Sequence, residues 1–128
     1  MGSFLRVSRS AWVLAVCAAL SACAWETGGG CSERTPAGQV TACTLEESNS
    51  AATCSGGTTN AYYEAGPCPT DARVGRCSVS VPASGAVAAR SYVRSYYAPQ
   101  YADGDARDDC ASRRDLHGAG TVVRYAPH

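Results

Sequence analysis

Six cysteines (Cys31, Cys43, Cys54, Cys68, Cys77 and Cys110) are spread through a stretch with little else to build an interior from. Beyond residue 22 the large aliphatic residues are Leu45, Leu116 and eight valines: Val40, Val74, Val79, Val81, Val87, Val93, Val122 and Val123. So low a fraction ordinarily marks a chain that cannot bury enough apolar surface to fold. Low net charge opposes disorder, and so do seven tyrosines and Trp25, whose rings supply large apolar faces. The remaining route to a fold is covalent. An even number of cysteines with no close-spaced C-x2-C pair reads as a disulfide framework rather than a metal site. Three such bonds would each contribute roughly 2 to 4 kcal/mol by restricting the unfolded chain. Disulfides in turn call for an oxidising compartment.

The N-terminus supplies a way there. Met1 to Arg9 is polar and carries Arg6 and Arg9, and the uncharged apolar run Ala11 to Leu20 follows. A basic start, a short apolar segment and small residues after it make a secretory signal peptide. The run is too short to stay as a membrane-spanning helix. It ends in Leu20-Ser21-Ala22-Cys23, which resembles the lipobox of bacterial lipoproteins. That resemblance implies a diacylglycerol on the Cys23 thiol, cleavage between Ala22 and Cys23, and a palmitate-like chain on the new amino group. The attachment needs a good nucleophile, which a cysteine thiolate is. Two or more acyl chains anchor firmly, at about 0.8 kcal/mol per buried CH2. Ala24, rather than an aspartate, follows the lipid site; in enteric lipoproteins this favours the outer membrane. The expected organisation is a signal peptide over 1–22, a lipidated Cys23 with a flexible tether to residue 30, and a cysteine-rich domain over 31–128. The alternative reading of the leader is plain secretion, which would make the mature chain a secreted disulfide-rich inhibitor or binding module.

Charge narrows the partners. Eleven arginines face eleven acids and there is no lysine. Without a basic surplus to neutralise phosphates, nucleic acid is not an expected partner. The membrane, through the lipid on Cys23, and a protein of the envelope are.

The pattern along the domain predicts an α+β fold, with a small antiparallel sheet and two short helices. Strands are expected over Gln39–Cys43, Thr58–Glu64, Arg73–Val81 and Thr121–Tyr125 from alternation and β-branched or aromatic content. Thr44-x-x-Glu47 has the form of a capping box, so a helix is expected from Leu45 to about Cys54, stopped by Gly56-Gly57. A second helix is expected over Ala102–Arg114, with aspartates at its start. Gly85–Tyr97 is ambiguous: some residues fit helical spacing, while Tyr92 to Tyr97 favours a strand. An order of helix, cysteine, glycine and strand occurs twice, around Cys54 and around Cys110. By the length of such a helix and strand, Cys43–Cys68 is a sterically reasonable pair.

Gly38-Gln-Val-Thr-Ala-Cys43, Cys54-Ser-Gly-Gly-Thr, Cys68-Pro, Val74-Gly-Arg-Cys77, Ser95-Tyr-Tyr-Ala-Pro and Cys110 resemble motifs of short cysteine-rich lipoproteins of Gram-negative soil bacteria. The likeness covers most of residues 38–125 and implies no particular activity. Here Gly118-Ala-Gly120 lies eight residues past Cys110, a departure from that pattern.

Catalytic chemistry finds little to stand on. His117 lies in a loop context and His128 is the last residue. No serine sits in a Gly-x-Ser-x-Gly setting, and no pair of carboxylates stands out. A small envelope hydrolase would need His117 joined to a carboxylate and a serine in a cleft. Asp103-Gly104-Asp105 with Asp108 and Asp109 offers oxygen ligands but lacks EF-hand spacing, and reads as an acidic helix start. Tyr92, Tyr96, Tyr97 and Tyr101 fit either a core short of aliphatics or a recognition patch. The expectation is a non-enzymatic chain with no catalytic residue, metal or cofactor, serving a structural or partner-binding role.

Overall fold

The computed structural model describes residues 29–50, 53–54 and 61–128. The leader, the Ala22–Cys23 cleavage point and the expected tether up to residue 28 lie outside that range. The described chain forms β1 (Gly30–Arg34), β2 (Val40–Leu45), β3 (Ala61–Glu64), β4 (Arg73–Val81), β5 (Arg90–Tyr97), α1 (Asp103–His117) and β6 (Val122–Pro127). The strands make one six-stranded sheet in the order β3-β1-β2-β5-β4-β6, every neighbouring pair antiparallel.

Alternation drives the central strands. In β4, Cys77 and Val79 point inward while Arg76, Ser78 and Ser80 face solvent. Their partners on β5 are Arg94 and Tyr92, so one sheet face carries Cys77, Val79, Tyr92, Arg94 and Tyr96. Helix α1 lies on that face, and Ala106 and Cys110 complete its core. The opposite face buries Cys43 and Tyr97 beside Val40 and Leu45. It is covered by the connection from β3 to β4: Cys68 is bonded to Cys43, and the Tyr97 hydroxyl donates 2.7 Å to the Pro69 carbonyl. Helix α1 starts with Asp103 and Asp105 and ends with Arg114 and His117, which suits its dipole. It stops at Gly118, whose φ of 88° a side chain rarely adopts.

The sheet dominates more than the sequence implies, and several expectations change. Gly30–Arg34 is a strand, so the expected tether ends earlier than residue 30. The helix expected from Leu45 does not begin there: Thr44 and Leu45 belong to β2, paired with β1 and with Arg94 and Val93 of β5. Pairing on both sides outweighs a local capping box. The reciprocal cap forms instead at Ser50 and Thr53, where each backbone N–H bonds the other's hydroxyl. A helical turn follows at Thr53–Cys54. The ambiguous segment resolves as a tight turn, Ser84 and Val87 exchanging backbone bonds, followed by β5.

The recurrence around Cys54 and Cys110 is deeper than its sequence outline. In each half a hairpin is followed by helical chain and a third strand that returns to pair with the hairpin's first strand. Cys31 of β1 is bonded to Cys54, and Cys77 of β4 to Cys110. One row across the sheet reads Tyr63, Cys31, Thr44, Arg94, Cys77, Tyr125, nearly a palindrome. Two residues before each of these cysteines is a glycine lying under the tyrosine ring: Gly29 under Tyr63, and Gly75 under Tyr125.

A Cβ at Gly75 would collide with the Tyr125 ring. Gly75→Ala is therefore expected to cost about 1–3 kcal/mol in denaturant unfolding. The cost should shrink when Tyr125 is already alanine, because the two effects share one contact.

Candidate functional site

The six cysteines form three bonds, Cys31–Cys54, Cys43–Cys68 and Cys77–Cys110, with Cα–Cα distances of 5.5, 5.8 and 5.5 Å. These lie in the ordinary range for disulfides. Such bonds belong to an oxidising, extracytoplasmic compartment. Among the described residues no helix is long and apolar enough to cross a membrane. The lipid attachment residue Cys23 and the cleavage residue Ala22 lie outside the described residues.

The tyrosines divide. Tyr92, Tyr96 and Tyr97 are buried and Tyr101 packs edge-on against Tyr96, so these four fill the interior. Tyr62 and Tyr63 on β3 are exposed. The aspartates do not gather. Asp103 accepts from Tyr125 and Arg107 at the outer surface, whereas Asp109 points inward. Among the described residues no group of three or more histidine, cysteine or acidic side chains is placed to hold a metal. His117 is bonded to the Tyr92 hydroxyl at 2.7 Å, rather than to a carboxylate or a serine. Burial, with Arg90 and Arg113 nearby, holds its pKa below the ordinary histidine value. His128 is exposed, its N–H bonded to the Val74 carbonyl.

The densest polar cluster is one that the sequence analysis did not single out. Arg94 sits midway along β5 on the helix face, 6 % exposed. Its two terminal nitrogens donate to the two Glu33 carboxylate oxygens of β1, at 2.7 and 3.1 Å. Its Nε lies 3.5 Å from Asp109 of α1, and the guanidinium lies over the Tyr96 ring at 5.5 Å. Asp109 accepts from the Tyr96 hydroxyl at 2.7 Å and from Arg113 at 2.8 Å. Strand β1, strand β5 and helix α1 thus meet at one guanidinium. Strand alternation carried the clue: in Tyr92-x-Arg94-x-Tyr96, Arg94 has to share the buried face with both rings.

Its electrostatics favour a clamp over a proton relay. The hydrogen bonds from Arg94 hold Glu33 below its usual pKa despite partial burial. Burial alone would raise Asp109, but Tyr96, Arg113 and Arg94 together bring it down. Burial works against the charge on Arg94, yet its bonds to Glu33 raise its pKa. Tyr96 is raised by burial and by its bond to Asp109. Every member therefore keeps its ordinary charge near neutral pH. A shallow open depression of about 330 Å³ lies elsewhere, where β4 ends and β5 starts, lined by Ser80, Val81, Pro82, Arg90, Gly120 and Val122. No family model, curated protein or solved structure matches this chain.

Replacing Arg94 with methionine is expected to cost about 3 kcal/mol in denaturant unfolding, the low end for breaking a buried pair, because Glu33 at 44 % exposure can return to water. Lysine should rescue little, since it cannot bridge both carboxylate oxygens. Acid should act through the same groups. With Glu33 and Asp109 lowered in the folded state, the unfolded chain binds protons first as pH falls. Their stabilisation is full above about pH 5, where both carboxyls are ionised in the unfolded chain as well, and is lost as pH drops through the folded values. Glu33→Gln should give a shallower loss on that acid limb, read from unfolding midpoints against pH.

Proposed function

We propose that this chain is a lipid-anchored protein of the bacterial cell envelope, held in the outer membrane through acyl chains on Cys23, and that its three-disulfide domain serves a structural or partner-binding role there. The observation that carries this reading is the pairing of two features. A lipobox-like Leu20-Ser21-Ala22-Cys23 stands ahead of a domain whose cohesion depends on disulfides. Export supplies the oxidising compartment that such bonds require. The likeness to short cysteine-rich lipoproteins of Gram-negative soil bacteria points the same way. The clamp at Arg94 is structural within the fold, since its groups stay in their ordinary charge states and face one another.

Mass spectrometry of the protein recovered from membranes is expected to show Cys23 as the first residue, carrying two or three acyl chains. Cys23→Ser should stop that processing and release the chain from the membrane fraction. A free N-terminus elsewhere would instead mark a secreted disulfide-rich module. Crosslinked pull-down from intact envelopes, with the lipidated chain as bait, identifies the partner.

A further inference from the structure

One end of the domain differs from the other in chemistry, and it is the end where the chain enters. Strand register places the start of β1, the end of β2, the end of β4 and the starts of β5 and β6 together: Gly30 pairs with Leu45, Leu45 with Val93, Val81 with Arg90, and Ser80 with Val122. Helix α1 also ends there, because it runs from the far end of β5 back to β6. The turn between β4 and β5 at this end is Pro82-Ala-Ser-Gly-Ala-Val-Ala-Ala89, eight exposed residues without a charge. Val87 at its tip is 67 % exposed, Leu116 in the last turn of α1 68 %, and Val122 50 %. These three are among the few large aliphatics of the domain. Arg90 and Glu46 pair with one another, and Glu47, Arg114 and Asp115 leave one negative charge, so the charges of this end come close to cancelling around its exposed aliphatic side chains. The opposite end carries exposed Asp71 and Asp105 and the exposed Asp103–Arg107 pair, and among the described residues no large aliphatic side chain is exposed there.

We infer that the end bearing the 82–89 turn and Leu116 rests in the bilayer interface, as a second, reversible contact beside the lipid anchor. This rests on the anchoring at Cys23 proposed above. The occupant follows from where the chain enters. Gly29 is held at this end by Asn49, which donates 2.8 Å to its carbonyl. The six steps from Cys23 to Gly29 reach about 20 Å at most, at roughly 3.3–3.6 Å per residue. Strand β4, nine residues long, separates the two ends by about 30 Å at roughly 3.3 Å per residue. An acylated Cys23 therefore keeps the apolar end close to the membrane. A short tether gives an effective concentration on the order of millimolar, so a weak contact suffices. With little net charge at this end, the contact should not require anionic lipid.

The test uses the full chain expressed with its own leader and reconstituted into phosphatidylcholine vesicles, with or without bromine on the acyl chains. In a Trp25→Phe background, Val87→Trp reports from the turn and Ala37→Trp from the opposite end. Both sites are exposed and tolerate a larger ring. The inference expects blue-shifted emission for Val87→Trp and quenching by brominated lipid severalfold stronger than for Ala37→Trp. Equal quenching at the two sites, with Cys23 shown by mass to be acylated in the same sample, overturns the inference and leaves the anchor standing. An unacylated Cys23 overturns the anchor and this inference with it.

Discussion

Helix α1 buries only Ala106 and Cys110 against the sheet. Two small side chains cannot hold fifteen residues of helix in place by apolar contact. What does is the bond from Cys110 to Cys77, backed one residue earlier by Asp109, which lies beside Arg94 and accepts from the Tyr96 hydroxyl of β5. The same substitution of covalent for apolar cohesion recurs on the other face, where Cys43–Cys68 ties down the connection from β3 to β4. The closed loops span 23, 25 and 33 residues. Restricting loops of that length is worth about 3–4 kcal/mol each in the chain-entropy view. The tyrosines then fill the volume that the crosslinks define, with hydroxyls that reach Asp109, His117 and Pro69.

The two halves share a plan but differ at their junction. Each joins the first strand of a hairpin to the helical chain behind it by a disulfide, and each lays a tyrosine ring over a glycine. Where the halves meet, Thr44 faces Arg94 across β2 and β5. The arginine reaches from the second half into the first, to Glu33 on β1, and so couples two units that are otherwise joined by the β2–β5 ladder. A buried guanidinium is an expensive way to join two halves unless its partners are fixed. Here the backbone of β1 fixes Glu33 and α1 fixes Asp109, so the cost of burying the charge is offset by two hydrogen bonds to Glu33 and by the nearby Asp109 carboxylate, while Nε itself has no hydrogen-bond partner.

Local signals in the sequence place β4, β6 and α1 of the second half well, and leave β5 ambiguous. Arg73–Val81 reads directly as β4 because valine, cysteine and serine alternate, and the aspartate-rich start locates α1, which runs to His117, three residues past the expected end at Arg114. Strand β1 was not legible. Gly30-Cys-Ser-Glu-Arg34 contains no strand-favouring residue, and its stabilising partners lie far away in sequence: Cys54 at 23 residues, Glu64 at 32 and Arg94 at 61. The misread helix after Thr44 has the same cause, since a capping box is visible locally and a strand on either side is not. The Glu33–Arg94–Asp109 cluster was hidden likewise, as three ordinary charges until the sheet brings them together.

Dependence on disulfides also bears on how such a chain reaches its place of work. Before oxidation, an interior of tyrosine, alanine and valine offers little apolar burial to offset the entropy of ordering the chain. The buried Arg94 adds a desolvation penalty that is met only once β1 and α1 are both in position. A reduced chain of this composition therefore has little drive to fold, which suits passage through a membrane in extended form. Once sulfurs pair on the oxidising side, each bond shortens the search for the next: Cys31–Cys54 and Cys77–Cys110 close within their own halves, and the Glu33–Arg94 bridge forms between halves already ordered. Folding is thereby coupled to compartment by the same scarcity of aliphatic side chains that makes the crosslinks necessary.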